Sequence, residues 1–279
     1  MRPRLIATDL DGTLLDRELR ISPRTVDAVK AAVGAGLEIV FVTARPPRNV
    51  AALAEQLGGG ISALCTNGTI LAEFPASPHR DEAEPDGAYA GETTLIRGFE
   101  AAEAVAIVNQ LRPAVPEAGF AMETGSEVYF ETSFRAGSVE DSRRILTDNL
   151  TSIASQMPSI VKVLSRSPQR TADEMLEIAL RTVAVDAEIS HSGGRGLVEI
   201  GPKGASKASA LAWLCERRGI APAEVAAFGD MPNDLEMLRW AGIGHAMANA
   251  HPDVIAAADR AVGHHTEDGV ALAIESLLA

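Results

Sequence analysis

Within residues 4–67, three short apolar runs alternate with two capped helical patterns, and no other feature limits the fold so tightly. The runs are RLIAT (4–8), LEIVFVT (37–43) and ISALCTN (61–67), each of which reads as a buried strand. Between the first two, SPRTVDAVKAAVGAG (22–36) reads as a helix, with Ser22 as N-cap, Pro23 at the first helical position and Gly34 and Gly36 at its close. Its Val26, Val29 and Val33 share a face. PPRNVAALAEQLGG (46–59) reads as a second helix that turns Val50, Leu53, Ala54 and Leu57 inward. Strand–helix–strand order of this kind calls for a parallel sheet covered by helices on both sides.

The last third repeats the style. GASKASALAWLCERRG (204–219) is helical, EVAAFGD (224–230) a strand, NDLEMLRWAG (233–242) a short helix, IGHAMAN (243–249) strand-like and GVALAIESLLA (269–279) a closing helix. The middle differs. AEPDGAYAGE (83–92) is turn-rich and polar, a linker signal. After it come a strand TTLI (93–96), a helix from Glu100 to Leu111, and the pair FAMET (120–124) and EVYFE (127–131), which reads as a hairpin. A polar helical stretch, IVKVLS (160–165), the helix TADEMLEIALRT (171–182) and VDAEISHS (185–192) follow. In the last, Val185, Ala187 and Ile189 alternate with Asp186, Glu188 and Ser190, the mark of a sheet with one wet face. SGGRG (192–196) is a hinge-like break before LVEIGP. The expected architecture is α/β: a Rossmann-like parallel-sheet core of residues 1–83 and 201–279, with an α+β cap, residues 84–200, inserted into it.

Composition narrows the function classes. A net charge of −13 with no Lys/Arg block argues against nucleic-acid binding and fits a protein that concentrates a divalent cation. Cys65 and Cys215 are the only cysteines, each in an apolar run, and read as buried hydrophobes in a reducing compartment. No run approaches the ~18 apolar residues of a membrane span, and the apolar stretch after Arg4 is too short for a signal peptide. The expectation is a cytoplasmic protein without a membrane partner.

In an open α/β sheet, ligands bind at the carboxyl edges of the strands. The core strands end at Asp9, Thr43, Asn67 and Asp230, and parallel strands would bring all four to one edge. Competing motifs fail. An EF-hand loop opening at Asp9 wants Gly and Glu where Leu14 and Arg20 stand. GPKGASKA (201–208) has Ser206 and Ala208 at the deciding positions of a phosphate-binding loop. GIGHAM (242–247) lacks the third Gly of a dinucleotide fingerprint. His264 and His265 are adjacent, which points their side chains apart and marks them as surface residues. A lone D-x-D is also compatible with a polar turn; the three other strand ends weigh against that reading.

The ordered set DLDGTLLD, VTAR, SKASAL and FGDMPNDLEML resembles the haloacid dehalogenase superfamily of phosphotransferases. It is most similar to the Cof-type phosphatases, which carry a large α/β cap. TNGTI (66–70), LVEIGPKGASKASAL (197–211) and AMANA (246–250) extend the likeness over nearly the whole chain.

The chemistry can be argued beside the resemblance. Phosphate monoesters resist hydrolysis because their charge repels nucleophiles and the alkoxide leaves poorly. Asp9 can attack phosphorus and form an aspartyl-phosphate. Asp11 can protonate the leaving oxygen and then deprotonate the attacking water. Strand alternation returns i and i+2 to one side, which explains the one-residue gap, and Gly12 lets the backbone turn. The resemblance implies Mg²⁺ held by the Asp9 carboxylate, the Asp11 backbone carbonyl and the Asp230 carboxylate, with Asn233 and Asp234 orienting the metal's waters. It further implies that Thr43 and Lys207 bind the phosphoryl oxygens, and it places Asn67 near the site. Ala44 stands where the subgroup often has Gly, and its backbone amide can still donate. Two readings of Arg45 stand: a contact to a second anionic group of the substrate, or a surface charge at a helix start. Asn249 reads as a turn former, and Asp234 also suits a helix N-terminus.

The expected function is Mg²⁺-dependent hydrolysis of small phosphorylated metabolites such as sugar phosphates, by a monomer or homodimer. A phosphomutase or phosphotransferase, and a regulator that binds a phosphometabolite without turnover, are the alternatives.

Overall fold

The computed structural model describes residues 3–76, 91–134, 143–193 and 195–279. In chain order its elements are β1 (Leu5–Thr8), α1 (Pro23–Gly34), β2 (Glu38–Val42), α2 (Ala51–Gln56), β3 (Ile61–Cys65), β4 (Ile70–Phe74), β5 (Glu92–Leu95), α3 (Ala101–Leu111), β6 (Gly119–Glu123), β7 (Val128–Phe130), β8 (Arg144–Leu146), α4 (Leu150–Ile153), β9 (Lys162–Arg166), α5 (Ala172–Thr182), β10 (Ala187–Ser190), β11 (Leu197–Pro202), α6 (Lys207–Arg218), β12 (Val225–Gly229), α7 (Leu235–Trp240), β13 (Ile243–Met247), α8 (Pro252–Ala257), β14 (Arg260–Val262) and α9 (Gly269–Leu278). They form two compact units, one running to Thr94 and resuming at Lys207, the other Leu95–Ser206. The class is the α/β core with an inserted α+β unit that the alternation of runs implies.

The first unit is built on an eight-stranded sheet in the order β14-β13-β12-β1-β2-β3-β4-β5. From β14 to β3 every pairing is parallel, and β4 returns antiparallel to β3. The chain leaves β1 toward β2 and β3, and later comes back to place β12 on the other flank of β1. That reversal is the topological switch point, where the strand ends leave a crevice. The helices form where local chemistry starts them. The Ser22 hydroxyl accepts from the Thr25 backbone N–H at 3.1 Å, and Pro23 opens α1. α1 buries Thr25, Ala28, Val29 and Ala32. Val33, which shares a face with Val29 in the sequence pattern, is 48% exposed, because the buried stripe runs through Ala28, Val29 and Ala32 instead. Val50, Leu53, Ala54 and Leu57 are buried as the pattern implies.

β5, Glu92–Leu95, lies at the edge of this sheet, and the units divide after Thr94, within the TTLI run. The limit expected at 83/84, and most of the linker expected over 83–92, lie outside the described residues. The units part again between Ser206 and Lys207, whereas the sequence sets that limit at 200/201. β11 carries the chain on because it pairs with β9 and β10.

The second unit holds a six-stranded sheet, β10-β11-β9-β6-β7-β8, antiparallel except for the β7–β8 pair. A reciprocal capping box, Thr171 with Glu174, starts α5, and at the start of α3 the Glu103 carboxylate accepts from the Glu100 backbone N–H at 2.9 Å. Ile107, Leu111, Met175 and Ala179 from these helices join Phe120, Met122, Val163, Val198 and Ile200 in one core. Val185, Ala187 and Ile189 pack against it, as their alternation predicts. The SGGRG break includes Gly194, and the polar stretch after the hairpin includes 135–142; these lie outside the described residues. Cys65 and Cys215 are buried free thiols. Among the described residues, no helix is long and apolar enough to cross a membrane.

Candidate active site

Four side chains meet where β1 and β12 end. Asp9 follows β1 directly, and its N–H donates to the Phe228 carbonyl of β12 at 3.0 Å. Asp230 follows β12, Asp234 ends the single turn that leads into α7, and Lys207 is the first residue of α6. All four are at least nine-tenths buried. The Lys207 ammonium donates to Asp9 Oδ1 at 2.6 Å and to Asp234 Oδ1 at 2.7 Å. Asp234 Oδ2 accepts from the backbone N–H groups of Asp230 and Met231, each at 3.1 Å. Asp234 thus accepts three hydrogen bonds. The Asp230 Oδ1 atom accepts from the Thr13 hydroxyl at 3.2 Å. Asp9 Oδ2 and Asp230 Oδ2 receive no hydrogen bond from the described residues.

The electrostatics show a shortage of positive charge. Burial, with Asp234 and Asp11 nearby, outweighs the attraction of Lys207 and pushes the Asp9 carboxyl up to about 7. Burial, Asp9 and Asp234 push Asp230 up to about 8. Burial acts to lower the Lys207 ammonium, but Asp234 and Asp9 overcome it and hold it above its ordinary value. Ligand atoms of Asp9, Asp230 and Asp234 lie within 4.8 Å of one another. Three carboxylates against one lysine leave two charges for a cation to balance. Oxygen-only donors suit a hard divalent ion. Asn233 supplies an independent sign. Its amide N–H donates to Asn67 Oδ1 at 3.1 Å, while its own Oδ1 is buried without a partner among the described residues. A water on a bound ion would satisfy that acceptor. The residues present fit a hydrated divalent cation.

The turn of residues 10–14 sets the approach of these groups. β1 stops at Thr8, so strand alternation does not align Asp9 with Asp11. Asp9 is extended, and the chain then bends at Gly12, whose φ is +78°. A Cβ at Gly12 would collide with the Asp230 carboxylate, so the position needs glycine for its space as well as its backbone. Asp11 pairs with Arg45 rather than with Lys207. Both of its carboxylate oxygens accept from Arg45, from Nε at 2.7 Å and from a terminal nitrogen at 2.5 Å. Neither reading offered for Arg45 covers this partner. The Asp11 carboxylate also lies outside the group of Asp9, Asp230 and Asp234.

Thr43, at the end of β2, is fully buried, and its hydroxyl accepts from the Arg45 N–H at 3.1 Å. Ala44 lies between them, half-buried. The ends of β2 and β3 interlock: the Asn67 N–H donates to the Thr43 carbonyl, and the Thr66 N–H to the Arg45 carbonyl, each at 2.9 Å. Thr66 and Asn67 hold φ values of +49° and +57°. A β-branched residue in that region is strained, and such strain clusters at functional sites.

Two participants carry no type signature and were missed. Thr13 reaches Asp230 through a hydroxyl. Asn249, read as a turn former, donates from its side-chain amide to the Gly12 carbonyl at 2.8 Å. His264 and His265 do not splay apart; their ring centroids are 4.7 Å apart. The His265 ring contacts the Leu15 carbonyl through Nδ1 at 2.7 Å.

Comparison with known proteins places the chain in a family. Residues 6–274 match the family model described as haloacid dehalogenase-like hydrolase. The chain is 28% identical to the pyridoxal phosphate phosphatase of Escherichia coli over 281 residues, all of both proteins. It is 25% identical to the 5-amino-6-(5-phospho-D-ribitylamino)uracil phosphatase YbjI of the same organism, over all of this chain and 97% of that one. The solved structure of a haloacid dehalogenase-like hydrolase from B. subtilis superposes with a TM-score of 0.80 at 25% identity, covering 98% of this chain and 99% of that one. The chain belongs to the haloacid dehalogenase-like hydrolases.

Proposed function

We propose that the chain is a Mg²⁺-dependent phosphatase that hydrolyses small phosphorylated metabolites, sugar phosphates among them, through an aspartyl-phosphate on Asp9. The observation that carries the reading is the convergence of Asp9, Lys207, Asp230 and Asp234 at the switch point between β1 and β12. Asp9, the Asp11 backbone carbonyl and Asp230 would hold the ion, which supplies positive charge for the phosphoryl oxygens. Asp234, its oxygens taken by Lys207 and two backbone amides, keeps the lysine in place, and Asn233 orients water.

The free oxygen of Asp9 attacks phosphorus. The bond to the ester oxygen breaks, and the departing alkoxide takes a proton from Asp11. Water then attacks the aspartyl-phosphate, Asp11 recovers a proton from it, and phosphate leaves with the Asp9 carboxylate restored. Lys207, the Thr43 hydroxyl and the Ala44 amide bind phosphoryl oxygens. Arg45 occupies both Asp11 oxygens at rest, so this ion pair opens when Asp11 carries the proton it donates.

The test is Asp9→Asn with Mg²⁺ and a panel of sugar phosphates, followed by phosphate release. Turnover falls to background, a loss on the order of 10³-fold or more. Retained turnover removes Asp9 as nucleophile. Release of free phosphate with no acceptor sugar present distinguishes hydrolysis from transfer.

A further inference from the structure

The turn that bears Asp11 and Gly12 is gripped from two sides. On one side is Asp230, against which Gly12 packs with no room for a Cβ and to which the Thr13 hydroxyl donates. On the other side is Asn249, in the loop after β13. Its Nδ2 donates to the Gly12 carbonyl at 2.8 Å, and its Oδ1 accepts from the His265 N–H at 3.0 Å. The His265 ring closes the clasp: a carbonyl can only accept, so Nδ1–H donates to Leu15 at 2.7 Å. Asn249 thus bonds at both ends of its amide and touches none of the buried carboxylates.

We infer that Asn249 is a positioning residue of the active site: its amide, steadied by the His265 backbone, sets the Gly12 peptide and through it the Asp11 carbonyl and carboxylate. The inference rests on the proposed function, because it assigns Asn249 an effect on the ion and on turnover. The side chain has to donate and accept at once. Aspartate at this position keeps the shape and the acceptor for His265 but loses the donor, and its charge faces the Gly12 carbonyl. Alanine loses both. Gly12 is adjacent to the Asp11 carbonyl, so a swing of its peptide moves a proposed ligand of the ion. Partners of this outer kind govern metal affinity by roughly 10- to 100-fold.

The experiment compares the full chain with Asn249→Asp and Asn249→Ala. Mg²⁺ binding is followed by calorimetry, stability in chelator by urea unfolding, and kcat and KM with a sugar phosphate at saturating Mg²⁺. Both variants raise the half-saturating Mg²⁺ by roughly tenfold or more. Their kcat falls while KM shifts by less than about threefold, since no contact to substrate is removed. If Asn249→Ala does not fold, Asn249→Asp, which keeps the His265 bond, carries the test alone. A purely structural role would lower the urea midpoint and leave Mg²⁺ binding and kcat of the folded variants at parental values; that result overturns the inference. A parent that neither binds Mg²⁺ nor releases phosphate overturns the proposed function and this inference together. A working parent with unaffected variants overturns the inference only.

Discussion

Among the described residues, Lys207 is the cation bonded to the buried aspartates of the site, and its long stem crosses from α6 to bond Asp9 and Asp234 at once. Replacing it by methionine keeps the apolar stem and removes the charge. Two buried carboxylates then face each other without a counter-ion, a loss of about 3–5 kcal/mol when one partner of a buried pair is deleted. Urea unfolding of Lys207→Met in chelator should show that loss, and saturating Mg²⁺ should recover part of it; an unchanged midpoint would mean that the lysine compensates nothing. Asp9 and Asp230 were legible as charged residues at strand ends, whereas Lys207 and Asp234 stood out only by their place in the motif order of the resemblance. Arg45 was half legible: its position stood out, but its partner did not, since a fork onto a residue 34 positions earlier depends on how two strand ends curl together. Thr13 and Asn249 were not legible as site residues, because a hydroxyl on one carboxylate and an amide on one carbonyl leave no trace in spacing.

Elements were readable in proportion to how much of each is buried. β1, β2 and β3 are continuous apolar runs because both faces of the sheet are covered there. β5 shows no apolar period, since all four of its residues are exposed at the sheet edge. β8 and β14, three residues each, are too short to carry a pattern. β4 escaped because its apolar run continues that of β3 across the Thr66–Gly68 turn. Helix starts were the clearest marks. Ser22→Ala removes the cap of α1, and the expected cost is about 1 kcal/mol in urea unfolding with turnover unchanged. Ser22→Ala also deletes the bond its hydroxyl donates to Asp268 at 2.5 Å, so a null effect would mean that neither bond steadies the helix start.

The whole molecule responds to pH through its central acids. Asp9 and Asp230, pushed up from 3.8 to about 7 and about 8, keep protons in the native state that the unfolded chain has already lost. Their contribution to stability is fully present below about pH 4 and is lost as pH rises through 7 and 8. In chelator, the melting temperature should therefore decline from pH 5 to pH 9. A divalent ion must displace those protons, so the stabilisation it confers should grow across the same window. A metal effect that stays flat with pH would show that the carboxylates are ionised before the ion arrives. The strand order has a further consequence during synthesis. β12 lies between β1 and β13, so the middle of the sheet is filled by a segment made some 220 residues after β1. At roughly 5–20 residues per second, the emerging polypeptide carries a bare β1 flank for about 10–45 s. An open flank of that kind invites pairing with a stranger, which makes the ribosome-bound interval the time when this protein most needs a chaperone.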